Sequence, residues 1–218
     1  MAAKYRMFRM MWGSGDFAMN TKTIIRFCLL SAVIVGCVQS ALLAASVVGW
    51  GSQVVGVNLS GGFTAIAASE THSLGLKQDG SIVAWGRNYD GECNVPSPNT
   101  KFVAVAAGGY HSLGLKADGS IVAWGSNQYG QCKIPSPNTG FVAVAAGGSH
   151  SLGLKAGGSI VAWGDDSSDK CNVPSPNTGF VAVAAGGSHS LGLKADGSIV
   201  AWGRNLFGQC SEIGRAHV

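Results

Sequence analysis

Four tryptophans, Trp85, Trp124, Trp163 and Trp202, stand 39 residues apart. His72, His111, His150 and His189 keep the same spacing, as do Cys93, Cys132, Cys171 and Cys210. The repeating units run 63–101, 102–140, 141–179 and 180 onward, and the second and third agree at 29 of 39 positions. A fixed period of this length restricts the body of the chain to an array of small supersecondary units. Each of these is too small to bury a hydrophobic face alone. Helical repeats have similar periods, so the local patterns must settle the class.

Each unit opens with an apolar, β-prone run such as Phe102-Val103-Ala104-Val105-Ala106-Ala107, and Gly108-Gly109 interrupts it. In Ser112-Leu113-Gly114-Leu115-Lys116 the leucines alternate onto one face, which is the period of a strand. Ala117-Asp118-Gly119-Ser120 supplies Asp-Gly, which predicts a two-residue hairpin turn with both central residues at positive φ. Ile121-Val122-Ala123-Trp124-Gly125 forms a third run, and Pro135 and Pro137 exclude a helix in the closing loop. No stretch carries an amphipathic helical period. Each unit is therefore expected to be a three-stranded antiparallel meander. Packing such sheets around an axis, as in a β-propeller, buries both faces.

The segment Val105-Ala106-Ala107-Gly108-Gly109-Tyr110-His111-Ser112-Leu113-Gly114-Leu115 resembles the repeat motif of the regulator of chromosome condensation family. Val144–Leu154 and Val183–Leu193 match as fully, whereas Ile66–Leu76 has Ser69 where the motif has Gly. The resemblance runs from residue 46 to about 210. The short unit and the opening Ser46-Val47-Val48-Gly49-Trp50-Gly51 are most similar to a secreted branch that includes β-lactamase inhibitory protein II. That resemblance implies an all-β propeller of three-stranded blades, about four present of seven, truncated at its C-terminus. It also implies that Ser46–Gly51 is a lone third strand completing the last blade of a ring. Residues 211–218, from Ser211 through the closing Gly214-Arg215-Ala216-His217-Val218, share nothing with the repeat and read like a translated sequencing adapter.

The formal net charge of +4 is concentrated at the start. Residues 1–45 hold five basic side chains against one acidic, and the remainder is neutral. A basic face for nucleic acid is therefore not expected on the body. Basic residues, an apolar stretch from Phe27 to Gly36 and small residues ending at Ala44-Ala45 have the layout of an export signal over 1–45. Met19 offers a more usual start, which makes 1–18 a candidate overrun. Cleavage near Ala44 or Ala45 competes with a lipobox-like Ile34-Val35-Gly36-Cys37, in which Cys37 would carry lipid, and with an uncleaved anchor over 27–45. Each alternative places the body outside a bacterial cytoplasm, touching a membrane only through this segment.

The resemblance assigns the four histidines to the framework of the repeat. Metal binding needs three or four converging ligands, and symmetry-related positions on neighbouring blades converge only near the axis. His111 and Ser112 are adjacent on a strand and so face opposite ways, which disfavours a base–nucleophile pair. The cysteines are most simply small buried thiols, with bridges between neighbouring blades as the lesser reading and metal the least. The tryptophans are expected between blades, and Lys77, Lys116, Lys155 and Lys194 as solvated strand ends.

Near-identical units differ in two places: the loop after Trp-Gly and the residue before His. Binding is commonly tuned on loops held by a rigid scaffold. Tyr89, Tyr110, Tyr129, Phe207, Asp165 and Asp166 are thus the candidate partner-binding residues, against a background of drift in unconstrained loops. Asp165, Asp166 and Asp169 lack the spacing of a calcium loop. No catalytic constellation, cofactor fingerprint or phosphate loop is present. The expected function is an exported protein-binding scaffold that needs no cofactor. Inhibition of a secreted or periplasmic enzyme such as a β-lactamase is the alternative, and a propeller lyase or hydrolase a remote one. Nucleotide exchange and chromatin binding, known for eukaryotic relatives, fit an exported, uncharged body poorly.

Overall fold

The computed structural model describes residues 62–211. The expected export signal over 1–45 with Cys37, the expected strand Ser46–Gly51 and residues 212–218 of the tail lie outside the described residues. Among the described residues, twelve strands form four separate three-stranded antiparallel sheets, each in sequence order. Blade one is β1 (Phe63–Ala68), β2 (His72–Lys77) and β3 (Ile82–Gly86). Blade two is β4 (Phe102–Ala107), β5 (His111–Lys116) and β6 (Ile121–Gly125). Blade three is β7 (Phe141–Ala146), β8 (His150–Lys155) and β9 (Ile160–Gly164). Blade four is β10 (Phe180–Ala185), β11 (His189–Lys194) and β12 (Ile199–Gly203). The first strands of successive blades lie beside one another. This is the stacking of a β-propeller.

Strand alternation assigns a job to each face of a blade. In blade two, Leu113 and Leu115 turn toward blade three with Ile121, and all three are buried against Phe141 and Trp163 of that blade. Ser112 and Trp124 are directly opposed in the β5–β6 register, so they share the other face, toward blade one. The same core recurs at the other two seams. Leu74, Leu76 and Ile82 pack on Phe102 and Trp124, and Leu152, Leu154 and Ile160 on Phe180 and Trp202. Burial of each such side chain contributes about 1.5–3 kcal/mol, and nearly all of it falls between blades rather than within them. Blade four shows the converse. Its Leu193 and Ile199 are 38% and 47% exposed, whereas their counterparts Leu115 and Ile121 are 3% and 2%.

Position matters as much as hydrophobicity. A Cβ on Gly153 would lie 2.5 Å from Cε1 of Phe141 in the same blade, so the phenyl ring occupies the space a side chain would need. A register shift between Phe102 and Ala104 lets Phe102 turn into the seam and leaves Val103 half exposed. Asn138 closes the edge of the blade. Its Oδ1 accepts from Ile121 N at 2.8 Å and its Nδ2 donates to Ile121 O at 2.8 Å. Asn99 and Asn177 do the same for Ile82 and Ile160.

Two expectations are corrected. The Asp-Gly hairpins are not two-residue turns with paired positive φ. Gly119 has φ 79° while Asp118 stays outside the left-handed region. Gly119 N donates to Lys116 O, and Lys116 N to Ser120 O, which defines a three-residue loop with glycine at its left-handed position. Asp118 is held there because its carboxylate accepts from both Ser120 N and Ser120 Oγ. The lysines are also not merely solvated. Lys116 Nζ donates to Pro98 O and Thr100 O at 3.0 and 2.6 Å and lies 3.9 Å from the Phe102 ring centroid. Its ammonium therefore ties the interblade loop to the strand end.

Gly153→Ala is expected to destabilise the protein by about 1–3 kcal/mol, because the new methyl overlaps a phenyl ring that is itself buried in the seam. Gly157→Ala, whose Cβ would meet nothing within 4 Å, is expected to be neutral or slightly stabilising. Urea denaturation midpoints of the two variants against the parent check both.

Candidate interaction face

The site is built on a polar seam that recurs between blades. Ser112 Oγ donates to the backbone carbonyl of Glu92 at 2.8 Å, and Trp124 Nε1 donates to the same oxygen at 2.8 Å. Gln131 O accepts equivalently from Ser151 and Trp163, and Lys170 O from Ser190 and Trp202. Because each serine proton goes to a carbonyl, the histidine of the preceding blade must donate to the serine. His72, His111 and His150 reach Ser112, Ser151 and Ser190 through Nε2 at 2.9 Å each. The neutral ring thus carries its proton on Nε2. Burial drives the pKa of His111 and His150 down to about 4. His72 is also lowered, by burial first, with Glu92 opposing. His189 has no described blade beyond it and is only half buried. Trp124, Trp163 and Trp202 are buried in their seams, whereas Trp85 is half exposed.

The accepting carbonyls belong to the variable loops, so the seam positions those loops. In blade one, Glu92 is fully buried. Its carboxylate accepts from Asp90 N at 2.8 Å and pairs with Arg87 Nη1 at 3.1 Å. Arg87 Nη2 also meets Asp90 at 2.8 Å. The guanidinium held this way lies 5.1 Å from the Tyr89 ring and 4.5 Å from the ring of Tyr110 in the next blade. Tyr89 is 90% exposed and Tyr110 45%. The two candidate tyrosines therefore meet through one cation that spans the seam. A shallow recess of about 370 Å³ lies beside them, between Glu70, Thr71, Arg87 and Tyr89.

The loop after Trp-Gly and the residue before His share one end of each blade, because His111 pairs with Gly125 and Ser126 N donates to Tyr110 O. Tyr129 and Phe207 lie in the corresponding loops of blades two and four and are 57% and 89% exposed. They share the face with Tyr89 and Tyr110, but among the described residues no aromatic or cation contact joins them to that pair. Leu206, 71% exposed, extends the same surface. Arg87 and Leu206 were not candidates from sequence. Arg87 could have been found from the pairing of charges at positions 87 and 92.

Asp165 and Asp166 are already engaged inside their loop. Lys170, in the position of Glu92, is buried and meets Asp165 at 2.7 Å, so blade three carries the blade-one pair with its charges exchanged. The hydrogen bond from Lys170 holds the Asp165 carboxyl below its usual range. Asp166 accepts from Cys171 N at 2.8 Å, as Asn127 does from Cys132 N. Asp169 takes the left-handed position, φ 56°, that Gly130 holds in blade two, and accepts from Asn172. The three carboxylates are thus directed to separate partners. The four repeat cysteines are free. Cys93 Sγ donates to Arg87 O at 3.1 Å, and burial pushes the thiols of Cys93, Cys132 and Cys171 up to about 11.

Four blades packed through histidine–serine seams, with variable loops gathered at one end, define a propeller-type repeat protein that presents a loop face. The sequence profile of the regulator of chromosome condensation (RCC1) repeat matches residues 63–92, 102–131, 141–169 and 180–209. These segments make up more than half of the chain, and the chain belongs to that family. No curated protein matches it significantly. Among solved structures it is similar to yeast RCC1 (Prp20) bound to Kap60, at 22% identity and a TM-score of 0.56, over 65% of this chain and 43% of that one. Prp20p of Saccharomyces cerevisiae, described with its binding to Gsp1p and histones, is 24% identical with a TM-score of 0.57, over 67% and 45%. The ectodomain of the Arabidopsis thaliana receptor kinase ACR4 is 26% identical with a TM-score of 0.56, over 69% and 52%. The chain spans about half the length of these proteins or less.

Lys170→Gln is expected to cost about 1 kcal/mol by removing the charged partner of Asp165, which keeps only its bonds from Ser167 N and Oγ. Adding Asp165→Ser installs the Ser and Gln combination of blade two, where Gln131 Oε1 accepts from Tyr129 N at 2.9 Å, and is expected to restore stability to within about 0.5 kcal/mol. A double-mutant cycle by urea denaturation measures the coupling.

Proposed function

We propose that this protein is an exported binding scaffold that captures a protein partner on its loop face. The observation that carries the reading is the Tyr89–Arg87–Tyr110 stack, held in place by a fully buried Glu92 and open to solvent on its outer side. Tyrosine and arginine fixed before binding lose little side-chain entropy, which is why they dominate protein-binding hot spots. Tyr129, Leu206 and Phe207 extend the face along the other blades. The yeast relative's binding of Kap60, Gsp1p and histones supports protein capture as a use of this fold. Export rests on the basic and then apolar segment within residues 1–45.

Binding rather than catalysis is also the reading that the seam chemistry favours. Each buried serine already donates its proton to a carbonyl, and His111 and His150 donate to a serine rather than accept from it. A histidine in that role does not activate its serine as a nucleophile.

The test is affinity capture from a secreted or periplasmic extract by the parent and by Tyr89→Ala/Tyr110→Ala, followed by titration calorimetry on the captured partner. The expected outcome is a partner whose affinity falls by roughly 10- to 200-fold in the double variant, about 1–3 kcal/mol, with the denaturation midpoint unchanged. Recovery of the same partners at the same affinity by both proteins would overturn the assignment of this face. A β-lactamase panel included in the titration separates inhibition from other capture.

A further inference from the structure

The three seams look alike but differ at one atom. At His111 and His150, Nδ1 is buried and has no hydrogen-bond partner. At His72, Nδ1 lies 3.0 Å from Ser69 Oγ. Ser69 stands where the other blades have Gly108, Gly147 and Gly186, and it also reaches His72 O at 3.1 Å. A Cβ on Gly108 or Gly147 would collide with the imidazole of His111 or His150. Those two rings are therefore packed against a bare backbone that offers Nδ1 nothing.

Nε2 already donates to serine, so an added proton must go to Nδ1. At His72 that proton finds Ser69 Oγ, whose own hydrogen can turn to His72 O. At His111 and His150 it creates a buried, charged donor without an acceptor, a costly arrangement relieved only by letting water in. The charged groups around each ring reinforce the contrast. His72 faces Glu92, which favours its charge, together with Arg87, which opposes it. His111 faces only other histidines, His72 and His150. His150 faces Lys170 and His189 against Asp165 and Asp166.

We propose that the seams between blades two and three and between blades three and four are proton-triggered joints, while the seam between blades one and two is the more acid-tolerant. The Tyr89–Arg87–Tyr110 stack spans the tolerant seam. The loops that supply Gln131 O and Lys170 O belong to the two that open. The sign is fixed by the direction of the shifts. Histidines whose pKa is lower when packed stabilise their seams fully above about pH 6.5, and that contribution is lost as the pH falls toward 4.

Each seam carries its own reporter, because Trp124, Trp163 and Trp202 Nε1–H cross the first, second and third seams. Indole proton exchange is measured by NMR on the intact chain at pH 7 and pH 4.5, corrected for intrinsic rates. Trp163 and Trp202 are expected to lose protection by roughly 10- to 100-fold at pH 4.5, and Trp124 by less than about 3-fold. Ser69→Gly, which installs the residue the other blades carry, is expected to make Trp124 follow the other two. Equal loss at all three indoles in the parent protein overturns the proposal. So does retained protection of Trp163 at pH 4.5, or a Trp124 that stays protected in Ser69→Gly.

Discussion

One backbone oxygen per seam organises this structure. The carbonyl of residue 92, 131 or 170 accepts an indole and a hydroxyl from the next blade, and the hydroxyl is fixed by a histidine from the blade before. These donors are buried, so an unmade bond at any of them costs more than a made one contributes. That asymmetry gives the seam its register. Apolar packing of Leu, Ile, Phe and Trp supplies most of the attraction but tolerates sliding. The shared carbonyl does not, because a displaced blade would strand a serine, a tryptophan and a histidine together.

The same oxygen couples the invariant and the variable parts of the repeat. It belongs to a residue whose side chain points back into the loop, where Glu92, Gln131 and Lys170 each hold that loop by a different chemistry. The backbone atom serves the seam whatever the side chain is. A loop can therefore exchange Arg–Glu for Asp–Lys, or a neutral Ser and Gln, while its anchoring point stays put. Tyr89 and Tyr110 are brought together by this arrangement rather than by the loops' own propensities.

Much of this was legible in the sequence. The period, the strand alternation and the proline-closed loops led to three-stranded blades, and the gathering of both variable positions at one end follows from hairpin geometry. His111 and Ser112 face opposite ways along their strand, as alternation requires, and do not pair. Each instead finds its counterpart in a neighbouring unit, His111 with Ser151 and Ser112 with His72. A contact forty residues away leaves no local pattern. Asp165 and Asp166 looked like free carboxylates because their partners, Lys170 and the amide of Cys171, are visible only once the loop is closed. The Asp-Gly turn departs from the two-residue form because Asp118 is held by Ser120 rather than forced to positive φ.

Because every described blade meets its neighbour through the same pair of faces, a blade does not depend on its place in the series. The apolar surface formed by Leu113, Leu115 and Ile121 accepts Phe141 and Trp163 just as that of blade one accepts Phe102 and Trp124. At the level of the gene, an in-frame duplication or loss of one 39-residue unit would join surfaces that already fit, with no new core to select. Such a chain can change its number of blades by recombination more readily than it can change the seam residues within one.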